Sequence, residues 1–300
     1  MEKKNNWRAW LYLAPMLILM IVFIFYPLFN AFVISFYKDY QPLLNQRAAG
    51  ITFTNYTFVW NNYFFKAALK NTFVLAFVSV PVSIVLSLLI AVALNSIPKV
   101  KAFFQTVFFL PYVTNGIAVG MAFAVIFNKN YGLFNAFLDW FGIEAYDWIG
   151  STATWGRQIT ALMIFTIWDS LAFKILVFAS GLTNIDKQYY DAAKIDAASR
   201  STVFKRITVP LLSPLILYIS ITSMIGALKA YNSVIGLFGD KLGGKPRDMI
   251  TIVAFVYQYR AQYANIGYYS YAAAAAVTLF LITLFFSALQ AIVSRKRIHY

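Results

Sequence analysis

Six long apolar runs alternate with polar stretches along the chain. They lie at about 10–36, 68–96, 102–127, 158–182, 208–237 and 270–293. About 20 apolar residues in helical form cross a bilayer, so each run predicts a transmembrane helix. Pro15 and Pro27 do not argue against the first run, because membrane helices re-satisfy the carbonyls that a proline frees. Longer polar stretches, 38–66, 128–157 and 239–269, alternate with two shorter ones around Lys99–Lys101 and 184–207. The first run is too long for a signal-peptide core and no small-residue cleavage site follows it, so it is expected to remain as an anchor.

Composition agrees with this pattern. The 300 residues are 61% hydrophobic and 12% charged, against roughly 25% charge in a soluble domain, and mean hydropathy is +0.66. There is no cysteine, and the single histidine is His299. Disulfides, thiolate chemistry and a histidine-ligated metal centre in the core are therefore excluded. The net charge of +14 points to membrane lipid rather than nucleic acid, since basic residues of membrane chains gather at cytoplasmic ends. With the N-terminus placed inside, thirteen lysines and arginines fall in the short inner stretches and ten in the longer outer ones. Both termini, and residues 184–207, are thus expected in the cytoplasm. No internal repeat is found, which disfavours a carrier built of inverted repeats.

Asp169, Lys174 and Lys229 fall well inside the runs. Intramembrane charges cost several kcal/mol unless paired or hydrated, so they mark a transport path by default, with snorkelling or helix pairing as the plain alternative. Asn115, Tyr231 and Asn232 join them as candidate path residues. Two lysines in the path would favour an anionic or strongly polar solute. The aromatic fraction of 19% reads mainly as interfacial belts. Gly116, Gly120 and the run Ala272–Ala276 read as close helix packing. Gly239 to Lys245 has phosphate-loop spacing, but Pro246 stands where a Mg²⁺-holding hydroxyl belongs and no strand is expected before it, so it is not taken as a nucleotide site. An enzyme would need clustered carboxylates or histidines, and a proton-coupled carrier a relay of acids; neither pattern is present.

The most informative polar stretch is YDAAKIDAASRSTVFKRITVPLLSP, 190–214. Asp186 is placed to cap a helix over 186–198. Alanines at 192, 193, 197 and 198 leave a thin surface that another protein can approach. Pro210 and Pro214 stand at the start of the next run, where proline costs least. The stretch resembles the EAA motif of permease subunits of carbohydrate-uptake ABC importers, with Asp191 where Glu is usual and Ala197 where Gly is usual. Further similarities run through Phe25-Tyr26-Pro27-Leu28, Asn55-Tyr56, Asn71-Thr72, Leu110-Pro111-Tyr112, Ile167-Trp168, Gly181-Leu182 and Lys229-Ala230-Tyr231-Asn232.

The resemblance implies an all-α integral membrane protein of six transmembrane helices, with a cytoplasmic EAA coupling helix between the fourth and fifth. It divides the chain into an anchor and first outer loop (1–67), a permease core (68–294) and a basic tail (295–300). It implies a non-enzymatic subunit forming half of the path for a sugar, oligosaccharide or sugar-like solute in the cytoplasmic membrane. Implied partners are a homologous permease subunit, two cytoplasmic ATPases that hold the ATP and Mg²⁺, and an extracytoplasmic substrate-binding protein. Asp191, Ala192, Ala193, Asp196, Ala197 and Phe204 would dock an ATPase. If residue 197 needs a positive φ, its alanine is strained there.

Overall fold

The computed structural model describes residues 6–42, 50–97, 101–245, 247–262 and 268–295. Lys3, Lys4, Asn45, Arg47, Pro98, Lys99, Pro246, Lys296, Arg297 and His299 lie outside the described residues, and with them most of the expected basic tail. Most of the described residues are helical, and the β pairing among them is one isolated antiparallel bridge, Tyr37 to Ile51. Among the described residues, four helices are long and apolar enough to cross a membrane. The first, α1, runs Asn6–Met20, through one π-helical turn, Ile21–Phe25, into Tyr26–Ile34. The next, α3, runs Tyr63–Val74, through the π-turn Leu75–Ser79, into Val80–Asn95. The others are α7, Trp155–Thr183, and α13, Tyr268–Arg295.

Counted as one span, a bent pair adds a fifth. Helix α9 comprises Arg200–Val203, the π-turn Phe204–Thr208 and Val209–Leu211. It meets α10, Ser213–Leu228, at 66°. All three π-turns share one spacing: each ends two residues before a proline, at Pro27, Pro81 and Pro210. A proline ring clashes with the carbonyl four residues back and offers it no N–H. A turn closed by i→i−5 bonds, such as Tyr26 N–H to Ile21 O and Val209 N–H to Phe204 O, widens the helix at that point and absorbs the clash.

The expected third span is not one helix. It is divided into α4, Lys101–Val113, and α5, Gly116–Ile126. The break is chemical. Thr114 Oγ1 bonds back to Leu110 O at 2.7 Å, and Asn115, in extended conformation, accepts from Ile117 N–H at 2.9 Å. Such side chains offer the backbone an alternative to the helical ladder. The expected fifth span likewise stops at Leu228, and a short α11, Asn232–Phe238, follows. The polar stretches hold helices too: α2 (Thr54–Asn61), α6 (Leu133–Asp139) and α12 (Ile252–Ala261).

The chain forms two compact units, Met1–Phe65 with Ala254–Leu281, and Lys66–Val253 with Ile282–Tyr300. In the first, Asn55 Nδ2 donates to Ser35 O and Tyr37 O, and Asn62 Nδ2 to Tyr259 Oη at 2.8 Å. Phe58 stacks on Tyr271 with centroids 3.9 Å apart, and Phe65 meets buried Phe255 edge-on. Most side chains of α1 are exposed, as expected of a helix whose neighbours are lipid or other chains.

The second unit is organised on α3 and α7. Leu88 and Ala91 of α3 pack with Phe178 and Leu182 of α7, Leu212, and Ile219 of α10. Buried Asn71 pins the polar stretches: its Nδ2 donates to Asp248 O and Ile250 O at 2.8 and 2.9 Å, and its Oδ1 accepts from Trp155 Nε1. Thr72 accepts from Ile252 N–H. Asn135 does the same for 128–148, bonding the Lys129 and Tyr146 carbonyls and the Tyr146 N–H and Trp148 Nε1–H. Of the Gly116/Gly120 pair, only Gly120 makes a close approach. A Cβ there would lie 2.7 Å from Gly236 Cα on α11, whereas Gly116 faces open space.

Candidate functional site: a charged cavity and a capped loop helix

The second unit contains a cavity of about 520 Å³ lined by side chains of α3, α4, α7, α10 and α11. That volume lies within the roughly 300–1,000 Å³ of small-molecule sites. Five of the six expected path residues line it: Asp169, Lys174, Lys229, Tyr231 and Asn232. Asn115 does not; it is the N-cap of α5.

Two polar stripes run into the cavity wall, which takes Ser79 and Ser83 from one and Thr166, Ser170 and Lys174 from the other. On α3, Ser79, Ser83 and Ser87 recur every four residues, and on α7 Thr166, Ser170 and Lys174 do the same. Residues four apart share one helix face, so the stripes meet. Thr166 lies 3.5 Å from Ser79, oxygen to oxygen. Lys174, 3% exposed, donates to Ser83 Oγ and, at 3.1 Å, to Ser170 Oγ. Both hydroxyl protons are committed elsewhere, Ser83 to Val80 O and Ser170 to Ile167 O. The two oxygens therefore meet the ammonium as acceptors. Composition alone does not reveal these hydroxyls; the four-residue spacing in otherwise apolar runs is the signal that finds them. Tyr112 and Phe173, which also line the cavity, stack at 5.6 Å and 21°. Lys229 is the C-cap of α10, where a cation suits the helix dipole.

The charged stretch forms α8, Lys187–Ile195. Asp186 caps it as expected, accepting from Gln188 N–H at 3.0 Å. At the far end Ala198 N–H donates to Ala193 O and Ala197 N–H to Lys194 O. This is a Schellman closure, and it puts Ala197 at φ +51°. Alanine holds there the left-handed position usually given to glycine.

Asp191, Ala192, Asp196 and Ala197 are exposed. Ala193 is buried and borders the groove beside α8, and Phe204 packs against the cluster of Leu88, Phe178 and Leu212. Ile195, 87% exposed, is an apolar side chain on the open face that the sequence reading passed over. Asp191 pairs with Lys194 at 2.7 Å. That hydrogen bond and the Lys194 charge, helped by Lys187, hold its carboxyl below the usual range. Beside α8 lies a groove that includes Tyr189, Ala192, Asp196, Val203 and Arg206.

The stretch with phosphate-loop spacing is a packing turn. Leu242 and Gly243 have φ of +55° and +134°, Gly244 N–H donates to Gln158 Oε1 at 2.9 Å, and a Cβ on Gly244 would sit 1.7 Å from Gly150 O. Among the described residues no group of three or more His, Cys, Asp or Glu is placed to hold a metal ion.

Comparisons with known proteins agree with this architecture. Residues 71–299 match the family described as the binding-protein-dependent transport system inner membrane component. The lactose transport system permease protein of Rhizobium radiobacter is 31% identical over 97% of this chain and 95% of its own. The multiple sugar-binding transport system permease protein of Streptococcus mutans is 32% identical over 97% of each. The arabinooligosaccharides transport system permease protein of Bacillus subtilis is 30% identical over 94% of this chain and 90% of its own. Among solved structures, a bacterial ABC transporter involved in import of the acidic polysaccharide alginate matches with TM-score 0.82 at 21% identity, over 97% of this chain and 96% of that one. That last likeness concerns the fold.

Proposed function

The chain belongs to the binding-protein-dependent transport system inner membrane component family, and from that membership we propose that it is a permease subunit of an ATP-driven importer of sugars or oligosaccharides. Its relatives of 30–32% identity are named for lactose, arabinooligosaccharide and multiple-sugar transport. The observation that carries the reading within this chain is a polar, charged cavity in the membrane-spanning unit, built from α3, α7 and α10. It would form this subunit's half of the path. A homologous permease subunit would supply the other half, and an extracytoplasmic binding protein would deliver the solute.

Hydrolysis of ATP belongs to separate cytoplasmic ATPases, which hold the nucleotide and Mg²⁺; this subunit has no catalytic role. The exposed edge of α8, with Asp191, Ala192, Asp196 and Ala197, is the docking surface, and both termini lie on the same side as α8. Buried Ala193 and Phe204 would pass its movement to the packed cluster of α3, α7 and α10. Asp191 must exchange its Lys194 partner, or share it, when an ATPase docks.

The test is purification of the tagged chain from its native host in mild detergent, with mass spectrometry of what accompanies it. A second permease and a Walker-motif ATPase should co-purify. The ATPase should be lost in Asp191→Lys and Ala192→Arg variants, whose changes are on exposed positions and spare the fold. The chain alone, even after cross-linking, would defeat the proposal.

A further inference from the structure

The cavity has an unbalanced charge. Two lysines, Lys174 and Lys229, and one acid, Asp169, line it, which leaves one positive charge over. The lysines are not neutralised locally. Among the described residues neither lysine has a carboxylate within 4.0 Å, whereas Lys194 has Asp191 on α8, outside the cavity. Asp169 and Lys174 stand five apart on α7, about 140° round the helix, and so do not form a ladder pair.

Lys174 is the decisive group. It is almost wholly buried, and its ammonium is met by two neutral hydroxyls, which use two of its three N–H donors. A buried cation without a counter-charge is costly. Serine oxygens orient it without neutralising it, so the protein holds a directed positive charge at the cavity wall. A residue that served only to tie α3 to α7 would do so as well with an amide, and without that cost. The remainder of the wall suits a carbohydrate. Ser79, Thr166, Thr222 and Ser223 offer hydroxyls, Asp169 can accept from sugar hydroxyls, and the Tyr112–Phe173 stack presents aromatic surface.

We infer that the cavity takes an anionic carbohydrate, with Lys174 and Lys229 meeting its acidic group and Asp169 meeting its hydroxyls. The inference rests on the importer reading above. It goes further in naming the charge of the cargo and the residues that select it. The acidic group is a uronate carboxylate or a phosphate, since both satisfy the same chemistry.

The experiment uses the complete importer in proteoliposomes, with its own binding protein and ATP. Uptake is compared for uronate di- to tetrasaccharides, for their carboxyl-reduced neutral counterparts and for sugar phosphates. Acidic cargo should enter at least tenfold faster than its neutral counterpart, and the two acidic classes tell the sources of charge apart. Lys174→Gln and Lys229→Gln should each lower that ratio several-fold, and Lys174→Arg should keep most of it. Asp169→Asn should raise it, a change that loss of packing would not produce. Because Lys229 lies at an exposed helix end, its variant keeps the test alive if Lys174→Gln fails to fold. Uptake of neutral sugars alone, or a ratio unmoved by both lysine variants, overturns the inference and leaves the importer reading standing. ATP-driven uptake of no carbohydrate defeats the importer reading itself and the inference with it.

Discussion

Replacing Ala197 by glycine should tighten the end of α8. Residue 197 sits at φ +51°, where the Cβ of an L-residue crowds the following carbonyl at a cost of about 1–2 kcal/mol. Its side chain is exposed, so the change removes strain and little packing. Glycine gives back about 0.4–1 kcal/mol through the freer unfolded chain. The net gain is therefore about 0.5–1 kcal/mol for the closed turn, or about two- to fivefold in its opening equilibrium. The amides that report it are those of Ala197 and Ala198, bonded to Lys194 O and Ala193 O. Hydrogen exchange of a peptide covering 187–198, measured on the detergent-purified protein, should slow by that factor. Ala197→Val should speed it, because a β-branched residue is a marked outlier at positive φ. Unchanged or faster exchange in the glycine variant would mean that α8 does not end in the left-handed turn, and the strain argument would fall.

Other outcomes follow from the same structure. Asn71→Leu strips three hydrogen bonds, one buried and two part-buried, from the Asp248 and Ile250 carbonyls and Trp155; it should cost about 2–3 kcal/mol, read as a lower melting temperature in detergent. Gly120→Val drives a side chain into the Gly236 backbone and should cost about 1–3 kcal/mol, whereas Gly116→Ala, facing open space, should be silent in the same melt. Asp147 is pushed up by partial burial, but bonds from Thr152 Oγ1–H and the Gly150 and Thr152 N–H groups outweigh that and lower its carboxyl overall. A depressed folded value means that its contribution is complete above the unfolded value of 3.8 and lost as pH falls through the folded one. Asp147→Asn should therefore lower the melting temperature equally at pH 5 and pH 8, with the difference from the parent closing only in strong acid.

Much of this was legible in the amino-acid order. The apolar runs located the long helices, the Asp186 cap was placed correctly, and five of six path residues proved to share one cavity. The failures have physical causes. Run length sees the total apolar content of 102–127 but not that Thr114 and Asn115 turn their side chains onto the backbone and break it. The polar stretch 239–269 hides α12, whose ten residues are too few to span and yet include fully buried Ile252, Ala254 and Phe255. Asn115 attracted notice as a polar residue in an apolar run, but a cap needs such a residue as much as a path does. The π-turns were missed although Pro27, Pro81 and Pro210 announce them, because proline spacing was read for tolerance and not for its local consequence.

The arrangement also bears on how a movement of α8 could reach the cavity. Lys174 and Thr183 are nine residues apart on the unbroken helix α7, about 13 Å at 1.5 Å per residue. Only Asn184, Ile185 and Asp186 separate that helix from α8. On the other side, Tyr190 Oη of α8 lies 3.3 Å from Thr208 Oγ1, just before the 66° bend that leads into α10. The two connections differ in kind. The α7 route is a single rigid rod, whereas the α9–α10 route passes through a π-turn and a bend. The cavity draws Asp169, Ser170 and Lys174 from the first route, and Thr222, Ser223 and Lys229 from the second. A displacement of α8 would then shift one wall as a body and re-angle the other at Leu212. The distance from Lys174 to Lys229 would change with that displacement, and with it the grip on whatever lies between them. Spin labels at Val177 and Ser220 should report a distance change on ATP binding in the assembled importer. Labels at Val177 and Ile167, both on α7, should report none; movement within that second pair would refute the rod.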